Sequence, residues 1–191
     1  MKRPLLTVLA AAGLVGCGSN DVLQMAAANY APMPAQSSWT YVTPGGAAGF
    51  TTKVLSATQS SGTWIYSVQN YEGLPGTSAI AATGASVVFL GPPAVLDRVL
   101  PYVTGNTWSV LTTTAGVTQI RSVDGYDSLV VPAGSFPRCF RLKTEIDTAG
   151  NSPTGAFVWV APNVGDVQYA GEDTAGNVTI QYQLSSYSLG H

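Results

Sequence analysis

From Trp39 onward, β-branched and aromatic residues alternate with Thr, Ser and Gln, and Gly, Pro, Asn or Asp interrupts the pattern every eight to twelve residues. Period-two alternation between such breaks predicts an antiparallel all-β domain. The expected strands are 39–42, 51–57, 63–68, 86–90, 107–113, 117–123, 138–146, 155–161, 166–172 and 178–187. In the clearest, 138–146, Phe140, Leu142, Thr144 and Ile146 fall on one face and Arg141, Lys143 and Glu145 on the other. One face suits a core and one suits water. Residues 157–160 are apolar at every position, as expected of a strand covered on both sides or of one that lines a cavity. A single globular stretch, 93–100, has a helical look, with Pro93 in its first turn and Pro101 to end it.

The turns supply topology. Asp147-Thr148-Ala149-Gly150-Asn151 recurs as Asp173-Thr174-Ala175-Gly176-Asn177, each copy between two strand-like runs. Asp and Asn tolerate turn geometry and Gly supplies positive φ, so both copies predict hairpins and together a four-stranded meander. Neither copy has the further carboxylates of a calcium loop, so no metal site is expected. Gly and Pro at strand ends (Pro132-Ala133-Gly134, Ala161-Pro162) allow bending. The fold class expected is therefore all-β: a strongly curved antiparallel meander, an open half-barrel, with at most one or two short helices.

The N-terminus changes the picture. Lys2 and Arg3 precede an apolar run from Leu5 to Val15, and Leu14-Val15-Gly16-Cys17 reads as a lipobox. The run is too short to span a bilayer, which needs about 20 apolar residues. Residues 1–16 are expected to be a removed signal peptide, 17–37 a lipidated N-terminus and tether, and 38–191 a single β-rich domain. Asp21 could cap a short tether helix over 22–29, stopped by Pro32 and Pro34. Acylation of Cys17, palmitate-type chains included, would make membrane attachment effectively permanent. Gly18 after the cysteine favours the outer over the inner membrane, with the domain facing the periplasm or the outside. Loss of Lys2 and Arg3 leaves six basic against ten acidic residues, a charge of −4, which disfavours nucleic acid as a partner.

Candidate chemistry is sparse. The one histidine is His191, the last residue, so Ser-His-Asp and Cys-His mechanisms lack an oriented base. Zinc ligands are too few, and neither a nucleophile elbow nor a phosphate-cradling loop is present. Asp124 and Asp127 are close together but read as solvated turn residues, while Asp97 and Glu145 stand isolated. With Cys17 acylated, Cys139 has no disulfide partner; it reads as a half-buried strand thiol, on a polar face where Arg141 and Lys143 could lower its pKa. No enzymatic activity and no cofactor are expected. Aromatic residues on strands are usually core, yet Trp64, Tyr66, Trp108, Trp159, Tyr169 and Tyr182 are the candidates to line an apolar ligand cavity.

Three short runs resemble exported bacterial proteins. Val131-Pro132-Ala133-Gly134-Ser135-Phe136 matches their V-P-A-G-x-F, residues 159–167 (WVAPNVGDV) their W-Y-A-P-x-V-G-x-V, and Leu184-Ser185-Ser186-Tyr187 their L-x-x-Y. Pro101–Trp108 resembles their P-L-x-x-G-N-x-W, so the resemblance spans roughly 100–188. The chain departs at Val160, where Tyr is usual, and at Asp166, usually apolar. Such proteins are similar to LolA/LolB-type lipoprotein carriers, a resemblance that implies an open half-barrel whose concave side takes acyl chains, and no reaction. The expected function is a lipid-anchored extracytoplasmic β-domain that binds an apolar ligand, or a lipid or lipoprotein acyl chain, at a concave sheet. The alternative is a non-enzymatic structural or adaptor lipoprotein that holds an envelope protein. The membrane is a partner through Cys17 in either case.

Overall fold

A computed structural model of the chain describes residues 33–110, 117–148 and 154–190. Six strands form the first half: β1 (Ser38–Val42), β2 (Ala48–Ser60), β3 (Thr63–Gln69), β4 (Thr77–Ala82), β5 (Ser86–Phe89) and β6 (Val95–Val99). Six more form the second: β7 (Thr107–Val110), β8 (Val117–Val131), β9 (Gly134–Thr148), β10 (Thr154–Ala161), β11 (Gly165–Glu172) and β12 (Val178–Ser188). All belong to one antiparallel sheet of order β6-β5-β4-β3-β2-β1-β12-β11-β10-β9-β8-β7. Each half is a meander, and the β1–β12 pairing splices the two together.

The edges of this sheet, β6 and β7, are consecutive in the chain and approach each other. Across the seam the Trp108 indole Nε1 donates to the Asp97 carbonyl at 3.2 Å, and Arg121 Nη1 donates to the same oxygen at 2.9 Å. The sheet thus wraps into a nearly closed barrel and leaves little free edge. Val54, Val68, Ile80, Val87, Tyr102 and Leu184 fill its interior, all fully buried. The all-β curved meander expected from the alternation is the observed fold.

Turn chemistry explains the hairpins. Ser61 (φ 48°) and Gly62 (φ 79°) join β2 to β3 in a two-residue turn of the type that matches strand twist. In the second copy of the repeated turn, Asp173 Oδ1 accepts from the Ala175 and Asn177 amides, each at 2.9 Å. The first copy lies partly outside the described residues, as do the lipobox, most of the tether with its expected helix, and residues 111–113 of the expected 107–113 strand.

The helix expected over 93–100 is not formed. Val95–Val99 is instead strand β6, paired with β5. Its register slips between Val87 and Val88, whose partners are Arg98 and Leu96. Asp97 is the extra residue of a β-bulge, so Asp97 and Arg98, adjacent in sequence, are both buried. The bulge breaks the alternation that would have betrayed a strand. β4 was also missed by the period-two reading, because Ala79, Ala81 and Ala82 give it little contrast.

Alternating strand direction sorts the connections to two ends. One end holds the β2–β3, β4–β5, β6–β7, β8–β9 and β10–β11 connections, the start of β1 and the end of β12; we call it the tether end. The other connections form the opposite end, the mouth. At the tether end, the tip of the β8–β9 hairpin lies against β12: Ala133 N donates to Leu184 O at 2.9 Å, and the Phe136 and Tyr187 rings are 6.4 Å apart.

Candidate functional site

Inside the barrel, between the mouth connection that carries Glu72 and the start of β11 that carries Asp166, five charged side chains converge in a chain that carries few. Arg98, 3% exposed, makes a bidentate pair with Asp166 at 2.7 and 2.8 Å. Its Nη2 also reaches Glu72 Oε1 at 3.0 Å, and its Nε reaches Asp97 Oδ2 at 3.1 Å. Arg121 binds Asp97 through Nη1, approaches Glu72 at 3.7 Å, and donates from Nε to Thr144 Oγ1 at 3.1 Å. Tyr71 donates to Asp97 at 2.6 Å, Tyr169 donates to Asp166 at 2.8 Å, and Tyr41 donates to the Asp166 carbonyl at 2.9 Å. Buried charges survive only when paired and hydrogen-bonded in this way.

The elements aim these groups deliberately. The bulge in β6 turns Asp97 and Arg98 inward together. The β3–β4 connection folds over the mouth: the Asn70 side chain donates to Thr51 O at 3.1 Å and accepts from Gly76 N at 3.3 Å, and Thr52 Oγ1 donates to Asn70 O at 2.9 Å. Asn70 (φ 51°) and Glu72 (φ 49°) are both left-handed. Asn tolerates that conformation readily; for Glu72 it costs about 1–2 kcal/mol, offset by the two arginines it reaches.

Two arginines balance two aspartates, so Glu72 is the surplus charge. Burial, reinforced by the negative Asp97, pushes the Glu72 carboxyl up to about 6 against the help of Arg121 and Arg98. Burial would also raise Asp97, but Arg121, Arg98 and the Tyr71 hydroxyl hold it below the ordinary carboxylate value. Burial raises the hydroxyls of Tyr41, Tyr71, Tyr102 and Tyr169.

Two spaces flank this network. A cavity of about 40 Å³, lined by Met33, Trp39, Tyr41, Thr52, Tyr71, Glu72, Arg98 and Tyr169 among others, lies on its inner side. It has room for a water, not for an acyl chain. On the outer side an open groove of about 440 Å³ sits at the seam. Leu74, Phe89, Pro92, Pro93, Val95, Val110 and Val117 form its apolar wall; Glu72, Asp97, Gln119 and Arg121 form its polar floor. That volume is of the order that holds small ligands.

No family model matches the chain, and no curated protein matches it in sequence. Two solved structures resemble it in fold. One is a protein described as exported, with a YmcC-like fold, from Bacteroides fragilis: 14% identity, TM-score 0.54, with 86% of this chain and 100% of that chain covered. The other is described as a lipoprotein from Parabacteroides distasonis: 14% identity, TM-score 0.49, with 84% and 99% covered. At such identity the likeness to the first is one of fold alone.

The six aromatic candidates are dispersed over the barrel. Tyr169 lines the small inner cavity. Trp108 is buried at the seam on the Asp97 carbonyl. Trp64 and Tyr66 stack with centroids 6.0 Å apart, Trp64 being 39% exposed near the tether end. Tyr182 packs edge-on to Phe50 at 5.2 Å. Trp159 pairs with Gln168, next to Tyr169, and so faces the other side of the sheet. Its indole donates to Asp127 at 2.8 Å.

Three further expectations are corrected. Asp124 and Asp127 are not turn residues: they lie within β8, and Arg141 bridges them at 2.7 and 3.0 Å. Cys139 is not half-buried on the polar face; a register shift between Asp127 and Leu129 accompanies its complete burial, with its thiol donating to Phe136 O at 3.4 Å. Burial and the Asp127 charge push that thiol up to about 11, the reverse of cationic activation. Asp97 is not isolated but central. Glu72, Arg98 and Arg121 went unread in the sequence. One signal was available: Asp97-Arg98 lies within the apolar run 95–100 of a charge-poor chain. The departure at Asp166 also has its reason, since it is the bidentate partner of Arg98.

Proposed function

We propose that the chain is a lipid-anchored, non-enzymatic binding protein of the bacterial cell envelope, attached through Cys17, whose ligand is an amphiphile seated in the mouth groove. The single observation that carries this reading is the groove itself, with an apolar wall on one side and the Glu72–Arg121 floor on the other. An acyl chain would lie against Leu74, Phe89 and Val95, and a polar head would face Gln119 and Arg121. The filled interior argues for the mouth rather than the concave centre of the sheet as the seat of the ligand. Oppositely shifted carboxylates are also the pattern of an acid–base pair, but here both are held by the same two arginines, which favours a structural role. The lipobox and the exported description of the Bacteroides fragilis fold neighbour support the envelope location. The half-barrel carriers to which the sequence motifs point support an acyl ligand.

The test is native mass spectrometry of the lipidated protein extracted from its own envelope. A reproducible non-covalent lipid adduct, lost in Val95→Asp while circular dichroism is unchanged, is the expected result. A bare mass with no uptake of added phospholipid overturns the reading. It would leave a protein partner on the β2–β3 hairpin, where Leu55 and Ile65 are 52% and 36% exposed, as the better account.

A further inference from the structure

The two ends of the barrel differ in charge. The tether-end segments (33–38, 60–63, 82–86, 99–107, 131–134, 161–165 and 188–190) contain no Asp, Glu, Lys or Arg, and the charged residues that adjoin them, Arg98 and Asp166, are paired with each other inside the barrel. At the mouth, Glu72 and Asp173 lie in connections and Asp147 and Glu172 at the ends of β9 and β11, with Asp147 and Asp173 exposed. Apolar side chains are exposed at both ends, Leu74 and Leu90 among them at the mouth, so hydrophobicity alone does not set one end apart. What is peculiar to the tether end is exposed Trp64, Val103, Val130 and Tyr187 set among uncharged Ser, Thr, Gly, Pro and Asn. Val130, at the β8–β9 tip, is 80% exposed.

We infer that the tether end is a membrane-docking surface, and that the barrel stands on the bilayer with its mouth directed away. The inference rests on the anchoring of Cys17. Sixteen residues run from Cys17 to Pro32, a reach of up to about 55 Å when extended, so the tether by itself permits any orientation. The protein surface must therefore choose. An uncharged rim loses little when partly dehydrated among headgroups, and Trp and Tyr favour that interfacial layer. Acidic residues at the mouth are repelled by the negative surface of anionic bilayers. The same posture keeps the ligand groove open to the aqueous side.

The lipidated full-length mature protein, reconstituted in phosphatidylcholine–phosphatidylglycerol vesicles carrying brominated acyl chains, tests this directly. Trp39, Trp108 and Trp159 are buried, so Trp64 is the accessible reporter. Bromine should quench a component of the fluorescence that is absent in Trp64→Phe. Leu90→Trp in the Trp64→Phe background places a reporter at the mouth and should show no quenching. Acrylamide accessibility should fall at least twofold for the wild-type protein on reconstitution and stay constant for the mouth reporter. Quenching of the mouth reporter, or unquenched Trp64 in a protein whose mass confirms the lipid, overturns the docking surface. A mass without lipid overturns the anchoring itself.

Discussion

At the scale of single residues, the buried network sets the pH response. Glu72 holds its proton up to about 6 in the fold, against an ordinary 4.5, so the native state binds more protons in that window. Stability from this group is complete below pH 4.5 and falls as pH rises through about 6, by an amount on the order of 2 kcal/mol. Asp97 acts in the opposite sense: its lowered pKa contributes above the ordinary 3.8 and is lost in stronger acid. Glu72→Gln is expected to stabilise the protein at pH 8 by up to about 2 kcal/mol and to change little at pH 4. Urea unfolding at the two pH values checks this, and an equal loss at both would contradict it. Asp166→Asn strips Arg98 of its bidentate charge and should cost about 3–5 kcal/mol in the same assay. The sequence hid this network because its partners lie 68, 26 and 24 positions apart. Composition shows that charge is scarce, and only tertiary folding shows that the scarce charges meet.

At the scale of elements, local chemistry that obeys one rule was legible and chemistry that breaks it was not. Strands with clean alternation, such as β9, and turns with Gly at positive φ, such as Ser61-Gly62, could be read directly. β6 could not, because a bulge places two consecutive charged residues inside and two prolines mimic helix punctuation. The β2–β3 turn offers a test: Gly62 sits at φ 79° with open space around it, so Gly62→Ala costs backbone strain alone. A loss of about 1 kcal/mol is expected, seen as a lowered melting temperature with an unchanged native spectrum. Cys139 belongs here too, since the slipped β8–β9 register accompanies its burial. Its thiol should be inert to a disulfide reagent in the native protein and react at once in denaturant; fast native modification would contradict its burial. The aromatic candidates are dispersed for a related reason: alternation identifies strands but does not say which aromatic residues share a face across a slipped register.

At the scale of the whole molecule, the β1–β12 splice turns two meanders into a barrel with a filled centre and open grooves at its mouth, one at the seam over Arg121 and one of similar size beside the β1–β2 connection. A curved sheet was legible in the Gly and Pro at strand ends; how far it closes was not, since the seam is made by Trp108 and Arg121 reaching the backbone of Asp97. The ligand site proposed above consequently lies at the rim rather than at the concave centre. Methyl-selective NMR of the lipidated protein in nanodiscs, titrated with a short-chain phospholipid, tests that placement most directly. Saturable shifts at Leu74, Val95, Val110 and Val117, with Val54 and Val68 unmoved, are the predicted result. Shifts confined to Leu55 and Ile65 on the β2–β3 hairpin, or no saturable shift at all, would contradict it.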